Sequence, residues 1–337
     1  MPPNTKALSA RIVIVAYNSA DCLQECLFAL KGQTQNDFEV IIVNNDCPQN
    51  STQNLSLPQE NFHVIDAGHN LGFAAGCNLG AKGATTDWVI MLNPDTIAKE
   101  NWFEMLSLAW KKSPATQSWA SVQIMDHDRA KLDGFGDVFS IFGLAWRGGY
   151  GQSIDTAPKE NQSIFGPCGA VAAYKRDVFE TLGGFDPNYF CYLEDVDLAL
   201  RLNMAGGHTK IAAKAIVYHK GGLSSVEAPK FPTFQTYKNN LYLMVKNLPL
   251  PILLVSLPFY LIIQVWIVLR NFGKGLNKTR ISGFLAGIKL LPKAIRMRRS
   301  RQVQPQATFK LWRKLNKSYL SLKHQKIYIY ENSHESE

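Results

Sequence analysis

Residues 10–17 read Ala-Arg-Ile-Val-Ile-Val-Ala-Tyr. Ile12 to Val15 are consecutive β-branched residues, and no polar residue alternates with them. A strand of this kind is buried on both faces, as in a parallel sheet covered by helices. Ser19 to Leu30 follows as a helix, with Leu23, Leu27 and Leu30 at core spacing. Phe38 to Val43 reads as a second buried strand, ended by Asn44-Asn45-Asp46. Residues 47–58 are polar loop, and His63 to Asp66 is a third short strand. A Gly-rich segment, Asn70 to Gly80, runs into a helix. Trp88 to Leu92 is a fourth buried strand, followed at once by Asn93-Pro94-Asp95. Strands alternating with helices predict an α/β domain around a mostly parallel sheet. In such sheets ligands bind beyond the carboxyl ends of the strands. Tyr17-Asn18, Asn44-Asn45 and Asn93-Pro94-Asp95 all stand at those ends.

Farther along, residues 113–165 are less regular. Ala120 to Met125 is strand-like, and the glycines from Gly134 to Gly151 predict a mobile loop region. Phe165 to Tyr174 reads as a strand, Arg176 to Leu182 as a short helix, Thr209 to Tyr218 as a strand, and His219 to Ser225 as a loop. Between them lies Tyr189-Phe190-Cys191-Tyr192-Leu193-Glu194-Asp195-Val196-Asp197-Leu198-Ala199-Leu200-Arg201. Glu194 to Ala205 is helical in pattern and is stopped by Gly206-Gly207. Glu194 and Asp195 fall in its first turn, where the helix dipole favours anions. Asp197 and Arg201 share a face, whereas Asp195 points about 200° away from Asp197. An acid held there beside aromatic rings suits a general base; an acidic helix start with one Asp–Arg pair is the structural alternative.

The length, 337 residues, allows one large or two smaller domains. No apolar run precedes Arg11, so no secretory leader is expected. The six cysteines form no Cys-x-x-Cys pair and no zinc spacing, which predicts reduced thiols in a cytosolic compartment. The net charge of +9 is unevenly placed: residues 1–227 carry 17 Lys+Arg against 24 Asp+Glu, and residues 228–330 carry 19 Lys+Arg and no acid. Three glutamates close the chain at 331–337. A basic segment of this kind meets nucleic acid or an anionic membrane surface.

Single motifs admit two readings each. Asp95 after a buried strand suits Mg²⁺ or Mn²⁺ held against a diphosphate, and Asn-Pro-Asp is also a common turn. His219 at a strand end is a second metal ligand or a structural histidine. Arg201 neutralises a phosphate or pairs with Asp197. The glycines of 72–80 would let backbone approach a nucleotide, yet no dinucleotide fingerprint and no P-loop is present.

Taken in order, these motifs carry a resemblance. Ala-Tyr-Asn (16–18), Asn44-Asn45, Asn-x-Gly-Phe (70–73) with Asn78 and Gly80, Leu-Asn-Pro-Asp (92–95), Gly-Gly-Phe-Asp (183–186), Tyr-x-Glu-Asp-x-Asp-Leu (192–198) with Arg201, and His219 resemble the family-2 inverting glycosyltransferases of GT-A fold. Within them the chain most resembles the bacterial rhamnosyltransferase-like enzymes of surface-polysaccharide assembly. The match spans residues 10–225. It implies a Rossmann-like, mostly parallel central sheet with helices on both faces, a nucleotide-diphospho-sugar donor, and a lipid-linked glycan acceptor. By the same resemblance Ala16, Tyr17, Asn18 and Asn44 face the nucleoside. Asn70, Gly72, Phe73, Asn78, Asn93 and Glu194 belong to the substrate site, and Arg201 lies near the diphosphate. Asp95 and His219 hold Mg²⁺ or Mn²⁺, and Asp195 deprotonates the acceptor hydroxyl. Two positions depart from the family pattern: Asn44 and Asn93 stand where acids are usual, which leaves a catalytically impaired scaffold as an alternative.

In the basic region, Leu248 to Leu269 is uncharged and long enough to span a bilayer, whereas the patch from Ile281 to Leu291 is too short. A single span would carry Lys289, Lys293, Arg296, Arg298, Arg299 and Arg301 across the membrane, against the positive-inside rule. An in-plane helix on the cytoplasmic face of a bacterial inner membrane lets them meet anionic lipid. A buried helix of a helical subdomain is the third reading. No nucleic-acid motif accompanies the charge, so no nucleic-acid partner is expected. The expected organisation is a catalytic domain over 1–227, a basic membrane-association region over 228–330, and a polar tail over 331–337.

Overall fold

The structure is a computed structural model and describes residues 9–46, 55–221, 229–272, 275–299 and 305–318. Cys47, the loop expected over 47–54, the far part of the loop after His219, Arg301 and the tail at 331–337 lie outside the described residues.

The apolar run after Ser9 is β1 (Ala10–Ala16). It pairs in parallel with β2 (Phe38–Asn44) and β4 (Trp88–Leu92), and β2 pairs in parallel with β3 (Phe62–Asp66). Its alternate residues enter two cores. On one face Ile12 and Ile14 pack with Leu23, Leu27 and Leu30 of α1 (Ala20–Lys31) and with Trp102, Phe103 and Leu106 of α3 (Trp102–Lys112). On the other face Val13 and Val15 pack with Ala74, Cys77 and Ala81 of α2 (Gly72–Ala81). The helical glycines serve this second contact rather than a nucleotide. A Cβ on Gly76 would come within 2.9 Å of Val15 Cγ1, and one on Gly80 would overlap Val13.

The second half departs from a purely parallel plan. β11 (Val171–Lys175) inserts antiparallel between β4 and β6 (Ser118–Met125), and β12 (Thr209–His219) runs parallel to β6. The short β10 (Ser163–Ile164) pairs antiparallel with β12; the strand expected from Phe165 begins only at Val171, so Cys168 and Gly169 lie in the approach to it, and α4 (Arg176–Thr181) follows it. The glycine-rich stretch is not a loose loop. It forms β7 (Leu132–Gly134) and a two-stranded ribbon of β8 (Asp137–Phe139) and β9 (Ala145–Arg147), and residues 132–140 are all buried. Gly136 has φ +145° and lies so near Gly166 that a Cβ would stand 2.9 Å from the carbonyl oxygen. Period-2 apolar patterning is the usual signal of a strand, and strands of three residues are too short to display it.

The helix that begins at Glu194-Asp195 is α5 (Glu194–Met204), followed past the sheet by α6 (Lys230–Asn247), α7 (Leu250–Arg270), α8 (Asn277–Arg299) and α9 (Pro305–Lys314). The composition break at 227 is not a break in packing. Val196, Ala199 and Leu200 of α5 share one core with Leu241, Tyr242 and Met244 of α6, Ile252 of α7, Ala294 of α8 and Leu311 of α9. The patch at 281–291 is part of α8, which lies along α6 with little space between the backbones: Cβ atoms on Gly283 and Gly287 would meet the carbonyl oxygens of Phe234 and Lys238 at 2.5 and 2.7 Å.

Candidate active site

Strand register builds one rim of the site. Ala16 pairs with Asn44, and Asn44 with Asp66, so the carboxyl ends of β1, β2 and β3 line up. Tyr17 is half exposed beyond this edge and Asn18 turns away with φ +47°. Asn45, expected only as a strand end, is buried: its Oδ1 accepts the Leu71 N–H at 2.8 Å and its Nδ2 donates to Asn70 Oδ1 at 3.1 Å. Asn70 Oδ1 also accepts the Gly72 N–H at 2.9 Å, so the 70–73 turn is pinned to β2. Gly72 has φ +78°, and a Cβ there would lie 2.5 Å from Phe190 O. No other residue type fits that approach without displacing the aromatic loop. Asp66 has an exposed side chain next to Asn44 and was not singled out by the motif pattern. A carboxylate one strand over can serve where Asn44 is neutral.

The second rim joins β4 to β12. The short β5 (Thr96–Ala98) pairs antiparallel with the end of β12, placing Thr96 opposite His219. Asp95 is thereby brought beside the imidazole, with His219 Nε2 3.2 Å from Asp95 Oδ1. Nδ1 lies 2.6 Å from Asp133 Oδ2, and Asp133 also pairs with Arg147. Burial alone would lower the His219 pKa; the bonds to Asp133 and Asp95 overcome it and push it up to about 9. Burial also opposes the charge of Asp133, yet His219 and Arg147 hold its carboxyl below the usual range. Nε2 is buried, and its contact with Asp95 is not a well-aligned hydrogen bond.

These residues fit a divalent ion. Asp95 offers a hard oxygen, Nε2 beside it would give up its proton to an ion, and a second carboxylate fixes the ring from behind through Nδ1. Asn93, Pro94 and Asp95 are all partly exposed, and the Asn93 N–H donates to Ala170 O at 2.9 Å, tying the turn to the start of β11. The cluster of Asp137, Cys168 and Asp195, whose ligand atoms lie within 4.8 Å of one another, does not fit such an ion. The Cys168 thiol is pushed up to about 12, mainly by burial, and a protonated sulfur is a poor partner for Mg²⁺ or Mn²⁺.

Asp195 stands at the first turn of α5 and is only half buried. Its Oδ2 accepts the Gly169 N–H at 2.7 Å and its Oδ1 the Val196 N–H at 2.8 Å. Phe73 flanks it across Gly169. The segment leading into the helix is strained: Phe190, Tyr192 and Leu193 all have φ between 65° and 71°. Asn239 of α6 stabilises that backbone, its Nδ2 lying 3.0, 2.8 and 2.7 Å from the carbonyl oxygens of Tyr189, Cys191 and Tyr192. Neither Asn239 nor Asp133, Asp137 and Arg147 carries a sequence signal. They lie on short or unpatterned segments and acquire meaning only from what they touch.

Three expected site residues are placed elsewhere. Arg201 is buried, donating from Nε to Asp197 at 2.8 Å, from Nη1 to Leu182 O at 2.6 Å and from Nη2 to Gly184 O at 2.7 Å. The Asp–Arg pairing is therefore the reading the geometry adopts, and the guanidinium is engaged by Asp197 and two backbone carbonyls. Asn78 bonds the backbone of Phe185 in both directions, at 2.7 and 2.9 Å, and so fixes the 183–186 turn instead of substrate. Glu194 is buried, and burial together with neighbouring Asp195 pushes its carboxyl well above the usual range; it lies under the aromatic loop near Cys77 and Cys191.

The chain is similar to known proteins over most of its length. The chain is 26% identical over 243 residues to the N-acetylglucosaminyl-diphospho-decaprenol L-rhamnosyltransferase of Mycobacterium tuberculosis, covering 65% of this chain and 78% of that one. It is 24% identical over 208 residues to the rhamnosyltransferase WbbL of Escherichia coli, covering 58% and 77%. Among solved structures, the fold matches the mannosyltransferase PcManGT of Pyrobaculum calidifontis in complex with GDP-Man and Mn²⁺ (TM-score 0.50, 14% identity, 86% of this chain and 88% of that one). It also matches GalNAc-T7 with UDP, GalNAc and Mn²⁺ (TM-score 0.56, 15% identity, 87% and 58%). A family model matches residues 11–183, just over half of the chain. With the GT-A architecture already evident in the sheet, this protein belongs to glycosyl transferase family 2.

Proposed function

We propose that this glycosyltransferase moves L-rhamnose from dTDP-rhamnose, with inversion, to a hydroxyl of a lipid-linked glycan in cell-surface polysaccharide synthesis. The carrying observation is the placement of Asp195. Both carboxylate oxygens are fixed by backbone N–H groups, the side chain is only partly buried, and Gly169, which holds it, adjoins Ala170, whose carbonyl accepts the Asn93 N–H of the turn that carries Asp95. Single displacement needs one base opposite the departing diphosphate. Asp195 takes the acceptor proton, the acceptor oxygen bonds to C1 of the sugar, and the bond from C1 to the diphosphate oxygen breaks. Asp95 and His219 would hold Mg²⁺ or Mn²⁺, which when bound supplies positive charge for the leaving diphosphate. The rhamnosyltransferase relatives support the donor and the lipid-linked acceptor.

Asp95→Ala and His219→Ala are expected to weaken donor binding and change the Mg²⁺/Mn²⁺ dependence, measured by thermal shift with dTDP-rhamnose and either ion. Asp133→Ala, which frees the imidazole behind the site, should lower metal affinity about 10–100-fold. Transfer that continues unchanged in EDTA removes the ion from this reading.

The membrane surface is part of the proposal. The most apolar 18-residue window of α7 has a mean hydropathy of 2.5, and the helix buries only Ile252, Leu253, Ser256 and Tyr260 against the core. Leu254, Ile262, Val265, Trp266 and Leu269 are exposed. Apolar exposure on this scale marks a lipid or partner surface. α8 returns along α6, and α9 packs with α5, so the segments before and after α7 share one side. That supports in-plane insertion of α7 on the cytoplasmic face over a single span. The full chain should pellet with membranes at high salt and be released by detergent; release by salt alone would leave only electrostatic attachment.

A further inference from the structure

Asp137 of β8 lies directly opposite Arg147 of β9, so both side chains leave the ribbon on one face. Arg147 turns to Asp133. Asp137 turns to the base: its carboxyl and that of Asp195 are within 4.8 Å, with the Cys168 thiol completing the cluster. The Asp137 amide donates to Gly166 O at 2.8 Å, which fixes the strand against the segment that supplies Gly169 to Asp195. Asp137 is buried, and among the described residues its Oδ2 has no hydrogen-bond partner. Two carboxylates at this separation in a buried setting repel, and a proton between them removes the repulsion and satisfies the orphaned oxygen.

We propose that Asp137 is a positioning residue for Asp195: one proton is held between the two carboxyls, Asp137 donates it as a hydrogen bond, and Asp195 keeps its remaining lone pairs directed at the acceptor hydroxyl. This rests on the reading of Asp195 as the base. The groups facing Asp137 are Asp195 and Glu194 of α5, Arg147 of β9, Cys168, and Tyr174 of β11. The only cation among them, Arg147, is already paired with Asp133. Burial, reinforced by the neighbouring Asp195 charge, holds the Asp137 carboxyl well above the usual range. During transfer the acceptor proton passes to Asp195 while Asp137 retains its own; loss of the new proton from Asp195 to solvent resets the pair.

The test uses the full chain in detergent, with dTDP-rhamnose and a synthetic N-acetylglucosaminyl-diphospho-lipid. An amide can donate in place of the protonated acid, so Asp137→Asn should stay within about five-fold of wild type near neutral pH, while Asp137→Ala falls about 100-fold. The wild-type rate should decline at alkaline pH as the second carboxyl ionises, and Asp137→Asn should lack that limb. Equal rates for the Ala variant and wild type, or an unchanged limb in the Asn variant, overturn the proposal. An independent readout is ¹³C NMR of chain labelled at aspartate Cγ, with dTDP present and no turnover. One carboxyl should remain protonated above about pH 6 and its signal should vanish in Asp137→Asn; absence of that signal in wild type also overturns the proposal. If the signal behaves as expected but wild type transfers nothing, the donor and acceptor reading fails and the shared proton stands.

Discussion

Asp195→Asn is expected to reduce transfer by about 10²–10⁴-fold, the range general-base catalysis supplies, while donor affinity changes by no more than a few-fold. The separation follows from the proposed roles: Asp195, at the start of α5 and bonded to the Gly169 and Val196 N–H groups, would meet the acceptor, whereas Asp95 and His219, paired between the β4–β5 turn and the end of β12, would meet the donor diphosphate. The amide is not a silent replacement. Both carboxylate oxygens accept N–H bonds, so an NH₂ group must face one of these donors and the turn will adjust locally. Donor-induced thermal stabilisation is therefore measured beside turnover. A variant that still gains stability from dTDP-rhamnose but does not transfer locates the loss in proton removal. Near-normal turnover would remove Asp195 from the role of base, and loss of both properties would trace the defect to the fold of the 189–195 segment.

What the sequence disclosed, and what it did not, divides by the range of the interaction. β1, β2, β4 and α1 were legible because their residues report burial directly, through uninterrupted β-branched runs or leucines at helical spacing. Asp95, Asp195 and His219 stand out in the sequence as members of an ordered motif set, and the structure brings Asp95 and His219 to 3.2 Å through the register of β5 with β12. The ribbon of β8 and β9 was not, since three-residue strands show no period and their glycines look like a loop. Asp133, Asp137 and Arg147 were hidden with it. Arg201 and Asn78 were legible as conspicuous polar residues, but whether such a group meets ligand or backbone depends on its surroundings. Here the carbonyls of Leu182 and Gly184, and the backbone of Phe185, claim them.

The same limit applies to the division at 227, and it sets the second large effect. Lys246 of α6 is 1% exposed, and its ammonium lies 2.6 Å from Asp186 Oδ2 and 2.6 Å from Asp197 Oδ1. Tyr242 donates to Asp186, and Tyr189, Asn247 and Arg201 complete the shell of Asp197. Lys246→Met keeps much of the apolar stem and deletes the charge, leaving Asp186 to Tyr242 and its own turn. Breaking a buried pair from one side costs about 3–5 kcal/mol. That is a large part of the roughly 5–15 kcal/mol that holds a domain folded. Burial opposes both carboxylates, and Lys246, joined at Asp197 by Arg201, brings both below their usual range in the folded chain. A lowered folded-state pKa contributes stability that is fully present above the unfolded value, near 3.9, and is lost as pH falls through the folded one. The deficit of Lys246→Met in denaturant unfolding should therefore be largest near neutral pH and narrow toward about pH 4, where protonation relieves the unpaired acids. A deficit independent of pH would assign the loss to packing around the lysine stem. For the same reason a fragment ending at 227 is expected to unfold: it would leave Asp186 and Asp197 without Lys246, and the strained backbone at 190–193 without Asn239. Stable expression of that fragment with donor binding intact would show that the helices after 229 are dispensable to the catalytic core.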